Sequence, residues 1–157
     1  VKRKRKKVKR KRKKVKRKRR KWFKVIWTLI IMEYFQKNPY KYCKEKTKAI
    51  LSELGIGLSE YVYKRAFEVE LKNDGIPYEA EKNILIFYKG MQVGYIRADV
   101  VINGNFLIEF KTINQIRIPE KIQLRNYMRF LKIKKGIIIN FRKPIFSDQI
   151  MPEYYIK

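Results

Sequence analysis

The type and order of the elements that the sequence predicts place this chain in the mixed α/β class. Two stretches with apolar residues at helical spacing precede three extended segments, and a further helix and a short apolar strand follow. The chain has 157 residues, of which 45% are hydrophobic and 14% aromatic, which is enough to bury the core of one domain. The predicted order is ααβββαβ.

Each element follows from a local pattern. Apolar residues three and four positions apart indicate the helices, and glycines follow the first two. The short turns Lys89-Gly90 and Asn103-Gly104-Asn105 separate the first three extended segments, which favours an antiparallel meander. The fourth is largely apolar, as in strands buried on both faces. The predicted helices span residues 42–54, 58–73 and 119–131, and the predicted strands span residues 78–88, 92–102, 106–112, 136–141 and, at an edge, 151–156.

The turn at residues 103–105 determines which residues of its two flanking strands lie opposite each other. If it is a three-residue loop, Ile102 pairs with Phe106, and the same register puts Asp99 opposite Glu109. A loop one residue longer or shorter would put the two acids on opposite faces of the sheet.

Two carboxylates directly opposite each other repel, so the pair is poorly suited to stability and well suited to holding a divalent cation. Lys111 shares the face of Glu109 because side chains alternate along a strand. Acids on the solvent-facing side of a hairpin are also common, and the hairpin alone favours neither interpretation. The sharper hypothesis is a metal site.

Positive charge is concentrated at the N-terminus. The net charge is +27, and residues 1–21 hold 18 of the 41 Lys and Arg residues and no acid, so the other 23 basic and 14 acidic residues leave +9 for residues 22–157. Valine is the single apolar residue of each basic heptad, which is too little for a coiled coil, and we expect this head to be disordered in isolation. Its basic residues, Lys2 to Lys21, would bind phosphate backbones without sequence preference.

Composition predicts three regions: the basic head at residues 1–21, an apolar, helical connector at residues 22–40, and a folded domain at residues 41–157. Met32 stands just before the first ordinary globular sequence. A start at Met32, with residues 1–31 as an upstream extension of the reading frame, is an equally good interpretation.

Composition also excludes several classes of protein. The apolar run at residues 22–31 is shorter than the about 20 residues that a membrane span needs, and no small-residue cleavage site follows it. Cys43 is the single cysteine, so we expect an intracellular protein, cytoplasmic or associated with the nucleoid or nucleus, that is not secreted. Because the chain has no histidine, carboxylates, lysine and tyrosine are left for any chemistry.

A series of motifs resembles the GxxExxY proteins of the PD-(D/E)XK nuclease superfamily. The first, Gly57-Leu58-Ser59-Glu60-Tyr61-Val62-Tyr63, is the signature after which the family is named. The resemblance covers about residues 42–141 and implies a restriction-endonuclease-like core, with a central mixed sheet flanked by helices. The motifs that follow in order are Lys64 to Leu71, Tyr88-Lys89-Gly90, Arg97-Ala98-Asp99, Ile108-Glu109-Phe110-Lys111, Gln123-Leu124-x-x-Tyr127 and Gly136 to Phe141.

The resemblance implies roles for individual residues. Asp99 and Glu109 would be metal ligands, and Glu60 would approach the metal from its helix. Lys111 would orient the attacking water or neutralise the scissile phosphate. The implied cofactor is Mg²⁺ or Mn²⁺, because such ions take one or two carboxylates together with substrate phosphate. The implied supporting residues are Gln123, Tyr63 and Tyr127.

Plainer interpretations stay open for several of these residues. Without its motif, Glu60 is an ordinary exposed helix acid. Tyr63 and Tyr127 are better explained by packing, and Gln123 fits the site and the surface equally well. Three basic residues are candidates for contacts with nucleic-acid phosphates, although a single lysine in so basic a chain is usually solvated. They are Lys64, Arg65 and Arg97.

The prediction for function is a metal-dependent nuclease that hydrolyses phosphodiester bonds of DNA or RNA. The alternative is a nucleic-acid-binding or regulatory protein that keeps the fold without useful turnover, and a third option is a structural polycation acting through its head. The intact acids favour the enzyme, because a pure binder would gain by losing carboxylates beside phosphate. The oligomeric state stays open, with a homodimer among the options.

Overall fold

The computed structural model describes residues 2–142, and the side chains of residues 13–142. The predicted strand at residues 151–156 lies outside the described residues. The strands form one mixed sheet flanked by helices, so the predicted fold class is confirmed. The elements are α1 (Lys2–Lys37), α2 (Pro39–Leu54), α3 (Glu60–Asp74), β1 (Tyr78–Tyr88), β2 (Met91–Ile102), β3 (Phe106–Lys111), α4 (Ile118–Leu131) and β4 (Lys135–Asn140).

Helix α1 differs from the expectation for the basic head. Residues 2–37 form one continuous helix, whereas we expected no regular structure in the isolated head. A free basic peptide must nucleate a helix against like-charge repulsion, but here the head continues a helix whose last turns pack on the domain. Propagation costs less than nucleation, and Lys and Arg are good helix formers. The division into head, connector and domain stays a prediction.

The register between β2 and β3 agrees with a three-residue turn. Ile102 pairs with Phe106, which confirms the register that the sequence predicts. The turn accommodates this short connection because Asn103 and Gly104 have positive φ angles of 50° and 66°. The strands follow the order β1-β2-β3-β4, in which β1, β2 and β3 pair antiparallel and β4 pairs parallel to β3.

Two hydrophobic layers cover the inner part of the sheet. On one face, Tyr63 and Phe67 of α3 belong to the same buried cluster as Val100 and Ile108. On the other face, Leu124 and Met128 of α4 belong to a second cluster with Val101 and Leu107. Because neighbouring residues of a strand point to opposite faces, β2 and β3 are apolar on both sides at this level.

The side chains of the β1–β2 hairpin change faces at Asp99. Val100 packs in the first cluster, with α2 and α3, whereas Ala98 packs in the second cluster, with α4. Residues two apart in a regular strand would share a face. On β1, Glu81 has a φ angle of 51° and lies between the pairs Ala80↔Val100 and Lys82↔Ala98, and a register shift follows further along the strand, between Ile86 and Phe87. A local irregularity of this kind re-aims the side chains next to it.

A glycine ends α3 where α1 crosses it. Gly75 has a φ angle of 70°, and its N–H donates to the carbonyl of Leu71, as in helix termini with a left-handed residue. A Cβ atom at Gly75 would lie 2.7 Å from Oγ1 of Thr28. Position 75 therefore requires glycine for two reasons: its φ angle is positive, and Thr28 leaves no room for a Cβ atom.

We expect Gly75→Ala to lower the free energy of unfolding by about 1–2 kcal/mol, because alanine disfavours the left-handed conformation. Thr28→Ala in the same chain should recover the part that comes from crowding. Urea unfolding would measure both changes. Gly94→Ala is the matched control, since a Cβ there meets nothing within 4 Å, and it should leave stability nearly unchanged. Failure of Thr28→Ala to recover any stability in the Gly75→Ala chain would contradict the contact between α1 and α3.

Removal of residues 1–21 should leave the melting temperature nearly unchanged, because the described side chains of the head, at residues 13–21, are all exposed. The same deletion should flatten the salt dependence of nucleic-acid binding, by about 0.9 in the logarithmic slope for each duplex phosphate that the head neutralises in the full chain. Calorimetry and a salt titration of binding would measure the two effects. A large fall in melting temperature would show instead that the head packs on the domain.

Candidate active site

The carboxylates of Asp99 and Glu109 lie where β2 and β3 separate. Backbone pairing runs from Ile102↔Phe106 to Val100↔Ile108, and beyond it side chains bond to the opposite backbone. The backbone N–H of Asp99 donates to Oε1 of Glu109 at 3.3 Å, and the N–H of Phe110 donates to Oδ2 of Asp99 at 2.9 Å. Each carboxylate therefore has one oxygen held by the neighbouring strand.

The second oxygen of Glu109 contacts the rest of the site. Nζ of Lys111 lies 3.9 Å from Oε2 of Glu109, and Nε2 of Gln123 donates to the same oxygen at 3.4 Å. Gln123 also donates to the hydroxyl of Tyr127 at 3.2 Å, which is one helical turn further along α4. The structure thus brings Lys111, Gln123 and Tyr127 together around Glu109, and their roles in a site stay predictions.

Burial sets the protonation of Glu109. Its residue is only 2% exposed, and burial raises the pKa of its carboxyl to about 8, with a further rise from the charge of Asp99. The charge of Lys111 and the N–H of Asp99 oppose this shift without cancelling it. A carboxylate in this position is costly to ionise alone, and a nearby cation favours its charged form.

Glu60 begins α3 and lies in the same electrostatic environment. Burial raises the pKa of its carboxyl, the charge of Asp99 raises it further, and the charges of Lys111 and Lys64 lower it. Within residues 2–142, however, no three or more acidic or cysteine side chains lie close enough to form a metal-binding group. The structure brings two acids and a lysine into contact and leaves Glu60 at a longer range.

Tyr63 holds the loop that precedes α3. Its hydroxyl donates to the carbonyl of Gly55 at 2.8 Å and accepts from the N–H of Leu58 at 3.2 Å. Its ring is fully buried and stacks on Phe141, with ring centroids 4.3 Å apart. These contacts support the packing interpretation of Tyr63, and they position the start of α3, where Glu60 lies.

The three basic candidates for phosphate contacts have different surroundings. Lys64 is buried, and its Nζ binds Glu81 at 2.5 Å and lies 3.9 Å from Oδ1 of Asp99. The side chains of Arg65 and Arg97 are 54% and 62% exposed, so both can reach a phosphate in solution. Lys64 instead contributes its charge inside the site. Contact of these residues with nucleic acid stays a prediction.

Sequence reasoning missed two residues that lie beside the site, Glu81 next to Lys64 and Asn140 paired with Lys111. Glu81 links Lys64 to Arg97, whose guanidinium lies 3.9 Å away, and no local pattern distinguishes it from other strand acids. The buried amide of Asn140 accepts from the N–H of Ile113 at 3.1 Å and donates to its carbonyl at 2.7 Å. Asn140 could have been found, because it is a polar residue that ends an apolar strand.

Comparison with known proteins identifies the class. The model of the PD-(D/E)XK nuclease superfamily matches residues 39–151, which is more than half of the chain. The chain belongs to this superfamily. Searches of the curated proteins and of the solved structures find no match. Among the helices described, none is long and apolar enough to cross a membrane.

We expect Glu109→Gln to change how stability depends on pH. In the metal-free wild type, the raised pKa of Glu109 makes stability fall as pH rises from its ordinary pKa of 4.5 to about 8, by at most about 1.4 kcal/mol per pH unit. The glutamine variant lacks this contribution, so the wild type should lose stability relative to it across that window. Urea unfolding in EDTA at several pH values would measure the difference.

The same experiment with Mg²⁺ tests the cation. A ligand must be deprotonated to bind a metal, so stabilisation of the wild type by Mg²⁺ should increase with pH over this window. Glu109→Gln should show little of it. Parallel pH profiles of the two proteins, with and without Mg²⁺, would contradict the ionisation of Glu109 as described.

Proposed function

We propose that this chain is a metal-dependent nuclease of the GxxExxY type that hydrolyses phosphodiester bonds in DNA or RNA. One observation carries the proposal: each carboxylate of Asp99 and Glu109 accepts a hydrogen bond from a backbone N–H of the opposite strand, with Lys111 3.9 Å from the Glu109 carboxylate. Membership of the superfamily supports a nuclease, and the motif around Glu60 supports the GxxExxY type.

The donor atoms fit Mg²⁺ or Mn²⁺. Both acids supply hard oxygen ligands, which such cations prefer, and the ions complete their coordination with water and substrate phosphate. Oδ1 of Asp99 and Oε2 of Glu109 accept no hydrogen bond from the opposite backbone. Oδ1 of Asp99 lies 3.9 Å from Nζ of Lys64, and Oε2 of Glu109 lies 3.9 Å from Nζ of Lys111. Asp99 and Glu109 would hold the ion, with Glu60 joining through a water or a small movement of α3.

Different side chains would bind the cation, pair with the substrate phosphate and orient the ligands. An Mg²⁺ ion held by Asp99 and Glu109 would supply positive charge that stabilises the phosphate in the transition state and would ease deprotonation of the attacking water. Lys111 places a compact positive charge where it can pair with a non-bridging phosphate oxygen. Gln123 orients Glu109 through its amide and is itself held near Tyr127. The water oxygen forms a new bond to phosphorus and loses a proton, one P–O bond of the substrate breaks, and the leaving oxygen takes up a proton, so that one water is consumed in each cleavage.

A second candidate function is nucleic-acid binding or regulation without turnover. The observation that favours it is that residues 2–142 contain no group of three acids placed to hold a metal. Glu60 would then serve only as a helix acid. Cleavage measured for active-site variants separates the two functions.

We expect Asp99→Asn and Lys111→Ala to lose cleavage by a factor of about 10² or more, if each stabilises charge in the transition state. Asp99→Asn should still bind nucleic acid, and more tightly in EDTA, because it removes a negative charge beside the phosphate. Lys111→Ala should bind somewhat more weakly. The measurement is cleavage of mixed DNA and RNA substrates with Mg²⁺ or Mn²⁺ against EDTA, with binding followed in parallel.

Glu53→Gln and Lys134→Ala are matched controls, because both residues are exposed and belong to no contact of the site. Both should retain wild-type cleavage. Equal cleavage by wild type and Asp99→Asn would assign the activity to another site or a contaminant. Absence of cleavage from all variants and the wild type, with binding intact, would favour the binding protein.

A further inference from the structure

The outer half of the β1–β2 hairpin exposes large apolar side chains. Leu85, Phe87 and Tyr95, which we call the hairpin strip, are 51%, 59% and 67% exposed. Leu85 and Tyr95 are direct cross-strand partners, so their side chains share a face. Phe87 lies two residues beyond Leu85, past a register shift after Ile86, and both are exposed whereas Ile86 between them packs against the α4 cluster. Adjacent exposed apolar side chains of this kind mark an interaction surface.

The opposite face of the hairpin already has a partner. Ile84, Ile86 and Ile96 belong to the cluster around Leu124 and Met128 of α4. That packing holds the hairpin in place, and it leaves the strip on the side that no described helix covers. The strip is thus exposed to solvent on a hairpin that packing against α4 holds in place.

The strip is continuous with the candidate active site. Arg97 follows Tyr95 by two residues on the same face, and its guanidinium lies 3.9 Å from Glu81. Glu81 in turn binds Lys64, which lies 3.9 Å from Asp99. At about 3.3 Å per residue, Tyr95 lies roughly 13 Å along β2 from Asp99. This length corresponds to about four stacked nucleotides.

We propose that the hairpin strip binds unpaired bases of a single-stranded nucleic acid and guides that strand to Asp99 and Glu109. Aromatic faces stack on unpaired bases irrespective of sequence, and a duplex hides those bases from such contact. Arg97, at the inner end of the strip, pairs with the backbone of the same strand. This inference rests on the proposed nuclease function and adds a substrate class to it.

Charge favours a polyanion over a second copy of the chain as the occupant. Residues 22–157 carry a net charge of +9, so two copies that meet through this face repel each other. The exposed Arg97 adds a positive charge beside the strip. A nucleic acid offers bases that stack on the aromatic side chains of this surface and phosphates that pair with its basic side chain.

The test compares binding of a single-stranded oligonucleotide and its duplex, each as DNA and as RNA, by the full chain in EDTA. Salt is raised until binding by the basic head is screened. Tyr95→Ala should weaken single-strand binding by about 5- to 150-fold, the effect that follows from removing one stacked base. Tyr95→Phe should restore it, because the ring remains. Duplex binding should change little in either variant.

Phe130→Ala is the matched control, since Phe130 is an exposed aromatic residue of α4 outside the strip. Unchanged single-strand binding by Tyr95→Ala, or equal weakening for duplex and single strand, would overturn the proposal. So would sedimentation that shows a dimeric wild type and a monomeric Tyr95→Ala. Binding is measured without metal, so the two proposals can fail separately. If Tyr95→Ala weakens single-strand binding but the wild type does not cleave in Mg²⁺, the binding role of the strip stands and the nuclease function is refuted. If the wild type cleaves but Tyr95→Ala binds normally, the nuclease function stands and the binding role of the strip is refuted.

Discussion

The exchange of hydrogen bonds between two carboxylates and the opposite backbone, at the point where β2 and β3 separate, is the constraint on which the site depends. Asp99 and Glu109 each bond to an N–H of the neighbouring strand, and their spacing follows from the Ile102↔Phe106 pair. Because β2 and β3 are apolar on both faces here, a register slip would still bury apolar side chains. The register therefore rests on the short turn and on these two bonds more than on hydrophobic alternation.

The site collects contributions from all layers of the fold. The sheet supplies Glu109 and Lys111, α4 supplies Gln123, and α3 brings Glu60 and Lys64 from the other side. Burial of Glu109 is unfavourable for its charged form, and the charge of Lys111 and the N–H of Asp99 offset only part of that cost. A strained electrostatic arrangement of this kind is more typical of a functional site than of a stabilising network.

The sequence predicted the features that arise from local rules, and missed those that depend on packing over long distances. Alternation along β3 and the turn at residues 103–105 were enough for the register and for the shared position of Glu109 and Lys111. The burial of Lys64 beside Glu81 was not predictable, because it follows from the positive φ angle of Glu81 and from where α3 crosses the sheet. The continuous α1 does not follow from the charge pattern of the head alone, because the helix depends on its last turns, which pack on the domain.

The change of faces at Asp99 makes the molecule modular. From Val100 to Ile102, β2 pairs with β3 and is covered by helices on both sides. Before Asp99, the β1–β2 hairpin is held to the domain through α4. Two residues added to each strand beyond the contact with α4 would keep every side chain on its present face and leave Asp99 where it is. The length and the exposed side chains of the hairpin can therefore change in evolution while the two acids stay in place, so that the surface of the hairpin and the acidic site can diverge separately.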